Sequence, residues 1–179
     1  AFVDSSLETG EQLRRPGRQT VSEITLKSEK NYPPSKCDMP EGEFDNGFGR
    51  FLKNGYYIYS RTPAPWSNVV SNGCMGFLRT ESGGGYSWYQ NSGLCKITPW
   101  SNDPVKDKCG EILYLKDKSS GRFWTVTRDP VDYGDGHEAF FGHGFVVFGY
   151  NGFGIRQKQT EFVHSELPIK IISLELDGI

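Results

Sequence analysis

From Phe44 onward the chain is a series of short aromatic and branched runs broken by turn chemistry. No window of about eleven residues keeps apolar positions at i, i+3, i+4 and i+7, so no long amphipathic helix is expected. Asn54-Gly55 sits between Phe48–Leu52 and Tyr56–Tyr59, the strongest short-range signal for a β-hairpin. Asn72-Gly73 and Gly83-Gly84-Gly85 bracket Cys74–Glu81, and the second of them opens Tyr86–Tyr89. Glu111–Lys116, Arg122–Thr127, Phe145–Tyr150, Gly154–His164 and Ile169–Leu176 read as further strands. Strands spaced roughly 8–12 residues apart, with turns between them, favour a sandwich over alternating strands and helices. Composition agrees: 14% aromatic residues suit pleated, half-buried surfaces, and 22 glycines supply turns. The expected fold class is all-β, an antiparallel β-sandwich.

Residues 1–40 have a different character. Glu8 to Lys30 is charged and polar, and Asn31-Tyr32-Pro33-Pro34 ends it stiffly. Thr20 to Ser28 could form one short strand with Ile24 and Leu26 on the same face. The expected organisation is a polar extension over 1–40 followed by a sandwich domain over 41–179. At the other end, Ile169–Leu176 reads as a strand and Asp177-Gly178 as a turn with only Ile179 after it. The expectation from that turn is an incomplete sandwich whose next strand lies beyond the sequence, with an exposed strand edge near Ile169–Leu176.

Charge and hydrophobicity exclude several partners. Twenty Lys and Arg against 22 Asp and Glu supply no basic face for a phosphate backbone, so no nucleic-acid partner is expected. No stretch approaches the ~20 apolar residues that a membrane helix needs, and no membrane partner is expected. Cys37, Cys74, Cys95 and Cys109 form no C-x-x-C pair, which argues against zinc. Two disulfides remain open by count. With no charged-then-apolar leader in view, reduced thiols and a cytoplasmic location are preferred.

Several constellations could carry chemistry. Asp129, Asp132, Asp135 and Glu138 crowd a glycine-containing loop, but their spacing fails the calcium-loop register, and solvated loop acids are the simpler reading. His137 and His143 would share one side of a continuous strand, although Gly142 and Gly144 make such a strand doubtful. No Ser lies in G-x-S-x-G, and Gly142-His143-Gly144 and Gly152-Phe153-Gly154 match no phosphate-binding loop. No pair among the acids stands out for glycoside cleavage. No catalytic residue and no metal ligand is therefore expected in this chain.

A band of Trp, Tyr, Asn and Asp between residues 62 and 104 does stand out. It comprises Thr62-Pro63-Ala64-Pro65-Trp66-Ser67-Asn68, Glu81-Ser82-Gly83-Gly84-Gly85-Tyr86-Ser87-Trp88 and Thr98-Pro99-Trp100-Ser101-Asn102-Asp103-Pro104. Exposed indoles match the C–H face of a sugar, while neighbouring amides and carboxylates take its hydroxyls. The alternative for each ring is the sandwich core, since large aromatics are highly buried on average. Their coincidence with Gly-rich and Pro-rich bends favours the sugar reading for the group.

These segments, with Phe44-Asp45-Asn46-Gly47-Phe48-Gly49 before them and Gly110-Glu111-Ile112-Leu113-Tyr114-Leu115 after them, resemble glycoside hydrolase family 94 in wording and order. His143-Gly144-Phe145, Gly154-Ile155, Phe162-Val163 and Leu167-Pro168-Ile169-Lys170-Ile171 continue the likeness over roughly residues 44–176. That family contains cellobiose, cellodextrin, chitobiose and 1,2-β-oligoglucan phosphorylases and part of the cyclic β-1,2-glucan synthases. The text here is most similar to the β-1,2-glucan members. The resemblance implies a galactose-mutarotase-like super-sandwich that precedes an (α/α)6 barrel, on which an Asp protonates the glycosidic oxygen while inorganic phosphate attacks with inversion.

Neither the barrel nor its Asp has a counterpart in this sequence. The chain is thus expected to be non-catalytic, with inorganic phosphate only a co-substrate of the parent enzyme and no cofactor of its own. Implied partners are the barrel in the same or a companion chain, a β-glucan oligosaccharide and a second copy in a homodimer. By the same resemblance Trp66, Asn68, Trp88, Trp100, Asn102 and Asp103 lie at a surface facing either glucan or barrel. Rival readings are a stand-alone carbohydrate-binding module and, more weakly, a metal-dependent hydrolase using His137 and His143.

Overall fold

The computed structural model describes residues 40–178. The strand expected at Thr20–Ser28 lies outside the described residues, as does nearly all of the 1–40 segment. Among the described residues there are eleven strands and no helix: β1 (Gly49–Leu52), β2 (Gly55–Ile58), β3 (Ser67–Ser71), β4 (Met75–Thr80), β5 (Gly85–Tyr89), β6 (Tyr114–Lys116), β7 (Phe123–Thr125), β8 (His137–Gly142), β9 (Phe145–Gly152), β10 (Ile155–Val163) and β11 (Lys170–Gly178). They form a six-stranded sheet in the order β1-β2-β8-β9-β10-β11, a three-stranded sheet β3-β4-β5 and a ribbon β6-β7. Every pairing between named strands is antiparallel.

Turn chemistry sets the hairpins. β9 and β10 are joined by Phe153-Gly154, with φ of 58° and 72°. Two successive positive φ values give the loop a twist that matches the strands it joins. A phenylalanine there is unusual, and its ring is held by Trp124 at 4.9 Å and Tyr133 at 5.1 Å. The first hairpin forms as expected but one residue early: Leu52 pairs with Gly55, so the loop is Lys53-Asn54 and Gly55 belongs to the strand. Gly83 and Gly85, with φ of 100° and 126°, turn β4 into β5 in a conformation that side chains rarely adopt.

One expectation is corrected, and two strands, β3 and β8, were not among those expected. β3 was hidden by the prolines before it, yet Ser67–Ser71 pairs fully with β4. β8 runs through Gly142, which is flanked by Gly55 on one side and Phe145 on the other. The strand ends at Gly142 and His143-Gly144 forms the loop, so no continuous strand carries both histidines, in line with the doubt that the two glycines raised. Asp177-Gly178 is not a turn; it completes β11 opposite Arg156 and Ile155. Backbone pairing across nine residues of β10 outweighs the local turn preference of an Asp-Gly pair. β11 is the edge of the six-stranded sheet, in the region where an exposed edge was expected.

The core lies between the sheets. Ile58, Ala139, Val146, Phe148, Tyr150 and Ile155 from the six-stranded sheet meet Val70 and Phe77 from the three-stranded one, with Trp124 and Val126 closing the side. β3 lies against β9 and β10. Burying the larger of these side chains at roughly 1.5–3 kcal/mol each is the main favourable term holding the layers together.

Candidate functional site

The six residues singled out from sequence divide into two places. Trp66 precedes β3 opposite the end of β4, and its ring lies edge-on to Phe48 at 5.9 Å and Tyr56 at 5.8 Å, packed against the core. Asn68 donates from its amide to the carbonyls of Gly142 (3.1 Å) and Phe145 (3.4 Å), tying β3 to the β8–β9 hairpin. Trp88 lies opposite Gly76 at the other end of the three-stranded sheet, roughly 15 Å away along β4.

Trp88 belongs to an aromatic row. Tyr86 and Trp88 share one face of β5 with ring centres 5.2 Å apart, and Trp100 stacks on Tyr86 at 4.5 Å and 10°. Lys96 places its ammonium 5.9 Å from the Tyr86 ring centre. Trp88 and Tyr86 are largely buried, at 9% and 5% exposure, whereas Trp100 is half-buried. Asn102 is exposed at a φ of 49°. Asp103 accepts the backbone N–H groups of Val105 (3.0 Å) and Lys106 (3.2 Å), which hold its carboxyl below the usual range.

Trp100, Asn102 and Asp103 ride on an excursion from Thr98 to Glu111 whose two ends meet on β5. Ile97 N–H donates to Ser87 O at 2.8 Å, Ser87 N–H to Thr98 Oγ1 at 2.8 Å, and Gly110 N–H to Gly85 O at 3.1 Å. Gly110 is required at that base, because a Cβ would lie 2.5 Å from the Pro99 carbonyl and 2.6 Å from that of Gly85. Midway, Asp107 accepts the Thr80 hydroxyl at 2.5 Å. Burial raises the Asp107 carboxyl above its normal value despite that bond.

Under the loop lies a buried ionic cluster that sequence reasoning missed. Arg79 of β4 and Glu161 of β10 are 2% and 0% exposed; Arg79 Nε donates to both oxygens of Glu161, at 3.1 and 2.9 Å. Arg79 Nη1 donates to the carbonyls of Gly83 (3.0 Å) and Glu111 (3.1 Å). Lys170 of β11 places Nζ 2.8 Å from Glu161, also contacts Glu111, and lies 4.5 Å from the Phe77 ring centre. Burial pushes the Glu161 carboxyl upward, but Arg79 and Lys170 overcome it and hold it below the usual value. Glu111 behaves alike: burial raises it, and Lys170, Ser87 and Arg79 bring it down. The legible signal was β10 itself, since Gln157, Gln159 and Glu161 alternate with Arg156 and Lys158, so one polar row must be buried.

The other constellations resolve into structure. Arg61 bridges Asp129 and Asp132 at 3.0 Å each, so the acidic loop carries its own counter-ion. His137 is 4% exposed, stacks on Tyr150 at 4.1 Å and bonds Val126 O through Nδ1, while Nε2 has no partner. Burial lowers its pKa to about 4. His143 sits in the exposed hairpin loop, about 20 Å away along the strand, so the two histidines do not meet. Among the described residues no three His, Cys, Asp or Glu side chains converge on a metal-sized site. Cys74, Cys95 and Cys109 are free thiols, and burial raises Cys109 to about 11, which leaves it unreactive at neutral pH.

Comparison with known proteins agrees with this architecture. The profile described as "Glycosyl hydrolase 94, supersandwich domain" matches residues 54–178, from the first hairpin to the end of β11. The chain is 35% identical over 154 residues to the cyclic beta-(1,2)-glucan synthase NdvB of Rhizobium meliloti (strain 1021), covering 79% of this chain and 5% of that protein. It is 28% identical over 145 residues to the N,N'-diacetylchitobiose phosphorylase of Vibrio furnissii, covering 78% of this chain and 17% of that enzyme. A second such phosphorylase, from Vibrio proteolyticus, is 30% identical over 95 residues, covering 52% of this chain and 11% of that enzyme. The chain thus spans less than a fifth of each relative's length. The matched residues span β2 to β11 and with them the Trp100 loop and the buried ionic cluster, and the chain belongs to the glycosyl hydrolase 94 supersandwich domain family.

Proposed function

We propose that this chain is the non-catalytic sandwich part of an inverting glycoside phosphorylase or glucan synthase acting on β-glucans. Phosphate-dependent cleavage to a sugar 1-phosphate takes place on a barrel domain in the same polypeptide or a companion chain. The sandwich packs against that barrel, supports a homodimer and offers the Trp100 loop to the glucan. Trp100, Asn102 and Asp103 form the carbohydrate-facing group, Trp88 lies buried behind Tyr86 as their support, and Trp66 and Asn68 brace the layers beneath. The observation that carries the reading is the family match over residues 54–178, joined to relatives named as a glucan synthase and two phosphorylases. The acids agree with it: Glu81, Asp107, Glu111 and Glu161 are each engaged in side-chain hydrogen bonds that fasten one segment to another.

The test is to incubate the full-length polypeptide carrying this chain with a β-1,2-linked glucose tetrasaccharide, with and without inorganic phosphate. The expected outcome is a sugar 1-phosphate formed only when phosphate is present. Hydrolysis that ignores phosphate would overturn the reading, and binding without turnover would favour a carbohydrate-binding module instead.

A further inference from the structure

We propose that Glu111 is the positioning residue of the Trp100 loop, setting the indole where glucan meets it. The inference rests on the reading that this loop faces carbohydrate. Its ground is the way the two carboxylate oxygens of Glu111 are divided. Oε1 accepts from the hydroxyls of Ser87 and Thr98, the latter at 3.1 Å. Oε2 faces the cations, contacting Lys170 Nζ and lying 3.7 Å from Arg79 Nη2. The backbone carbonyl of Glu111 also takes Arg79 Nη1 at 3.1 Å.

One side chain therefore clamps the loop's end to its beginning at Thr98 and anchors that junction in the cross-sheet ionic cluster. The fourteen residues from Thr98 to Glu111 form a compact surface loop with closed ends, and Trp100 is two residues from the clamp. Tyr86 then covers one face of the indole, so the clamp and the stack together fix its direction. A carboxylate suits this place because both oxygens accept. Glutamine would present an N–H2 group either to the two hydroxyls or to Lys170 and Arg79, and one side of the clamp would be lost.

The test uses the full-length polypeptide, with the β-1,2-linked tetrasaccharide and inorganic phosphate as substrates. Glu111→Gln and Trp100→Ala should each raise KM for the oligosaccharide about three- to tenfold with kcat within about twofold, the range expected from losing one or two hydrogen bonds or a stacking contact. The double variant should be no worse than the poorer single one, since both act through the same indole. Thr98→Val, which removes only the hydroxyl link, should move KM in the same direction by a smaller factor. It keeps the test open if Glu111→Gln does not fold. A KM unchanged in both Glu111→Gln and Thr98→Val, with Trp100→Ala impaired, would overturn the positioning role and leave the glucan-facing reading standing. Multiplying effects in the double variant would also overturn it. No change in Trp100→Ala would remove the glucan-facing reading and the inference with it.

Discussion

Replacing Glu161 by glutamine should cost this fold about 3–5 kcal/mol, the range found when one partner of a buried ion pair is removed. The carboxylate is fully buried and meets Arg79 Nε at 2.9 Å and Lys170 Nζ at 2.8 Å. At an effective dielectric of about 20, each such pair is worth roughly 6 kcal/mol of Coulomb attraction before desolvation is counted. Glutamine keeps the shape and removes the charge, leaving Arg79 and Lys170 to face Glu111 alone. The desolvation cost of Glu161 is recovered, several kcal/mol for an ion in this setting, so the net loss is smaller than the gross attraction. The measurement is urea unfolding followed by tryptophan fluorescence, with an unchanged slope and a lower midpoint expected. A loss below about 1 kcal/mol would refute the claim that this cluster is tightly coupled. Pairing Arg79→Met with Glu161→Leu should destabilise less than either change alone, because the charge balance of Lys170 with Glu111 survives. A simple sum of the two single losses would refute the same reasoning from the other side.

Acid sensitivity should begin with His137. Its folded pKa is depressed to about 4 from 6.5, so the unfolded chain takes up the proton first, and stability present above pH 6.5 falls as pH drops towards 4. The loss reaches about 3 kcal/mol, and His137→Leu should flatten melting temperatures measured between pH 7 and 5. Below pH 4.5 the depressed carboxyls of Glu161 and Glu111 add a second loss, because they contribute only while ionised. Asn68→Ala should lower stability by about 1–2 kcal/mol through its two lost carbonyl contacts, yet leave oligosaccharide KM unchanged; a raised KM would return Asn68 to the carbohydrate-facing group.

Much of the fold could be read locally. The runs at Met75–Thr80, Gly85–Tyr89, Phe145–Gly152 and Ile155–Val163 are strands because alternating aromatic and branched residues between glycine turns admit little else. The motifs around Trp66, Tyr86 and Trp100 carried the family, since they are local strings kept in order. Other features depended on distant neighbours. β8 crosses to lie beside β2, and Asp177-Gly178 becomes strand only because β10 offers it partners. The three tryptophans looked equivalent in sequence; packing against Phe48 and Tyr56 makes one a brace, while stacking on Tyr86 leaves another half-buried on a loop. Arg79, Glu111, Glu161 and Lys170 are scattered over more than ninety residues of sequence. No local rule unites them. Their charges are buried together because two sheets close over them, and low-dielectric surroundings leave each ion no better partner than the next.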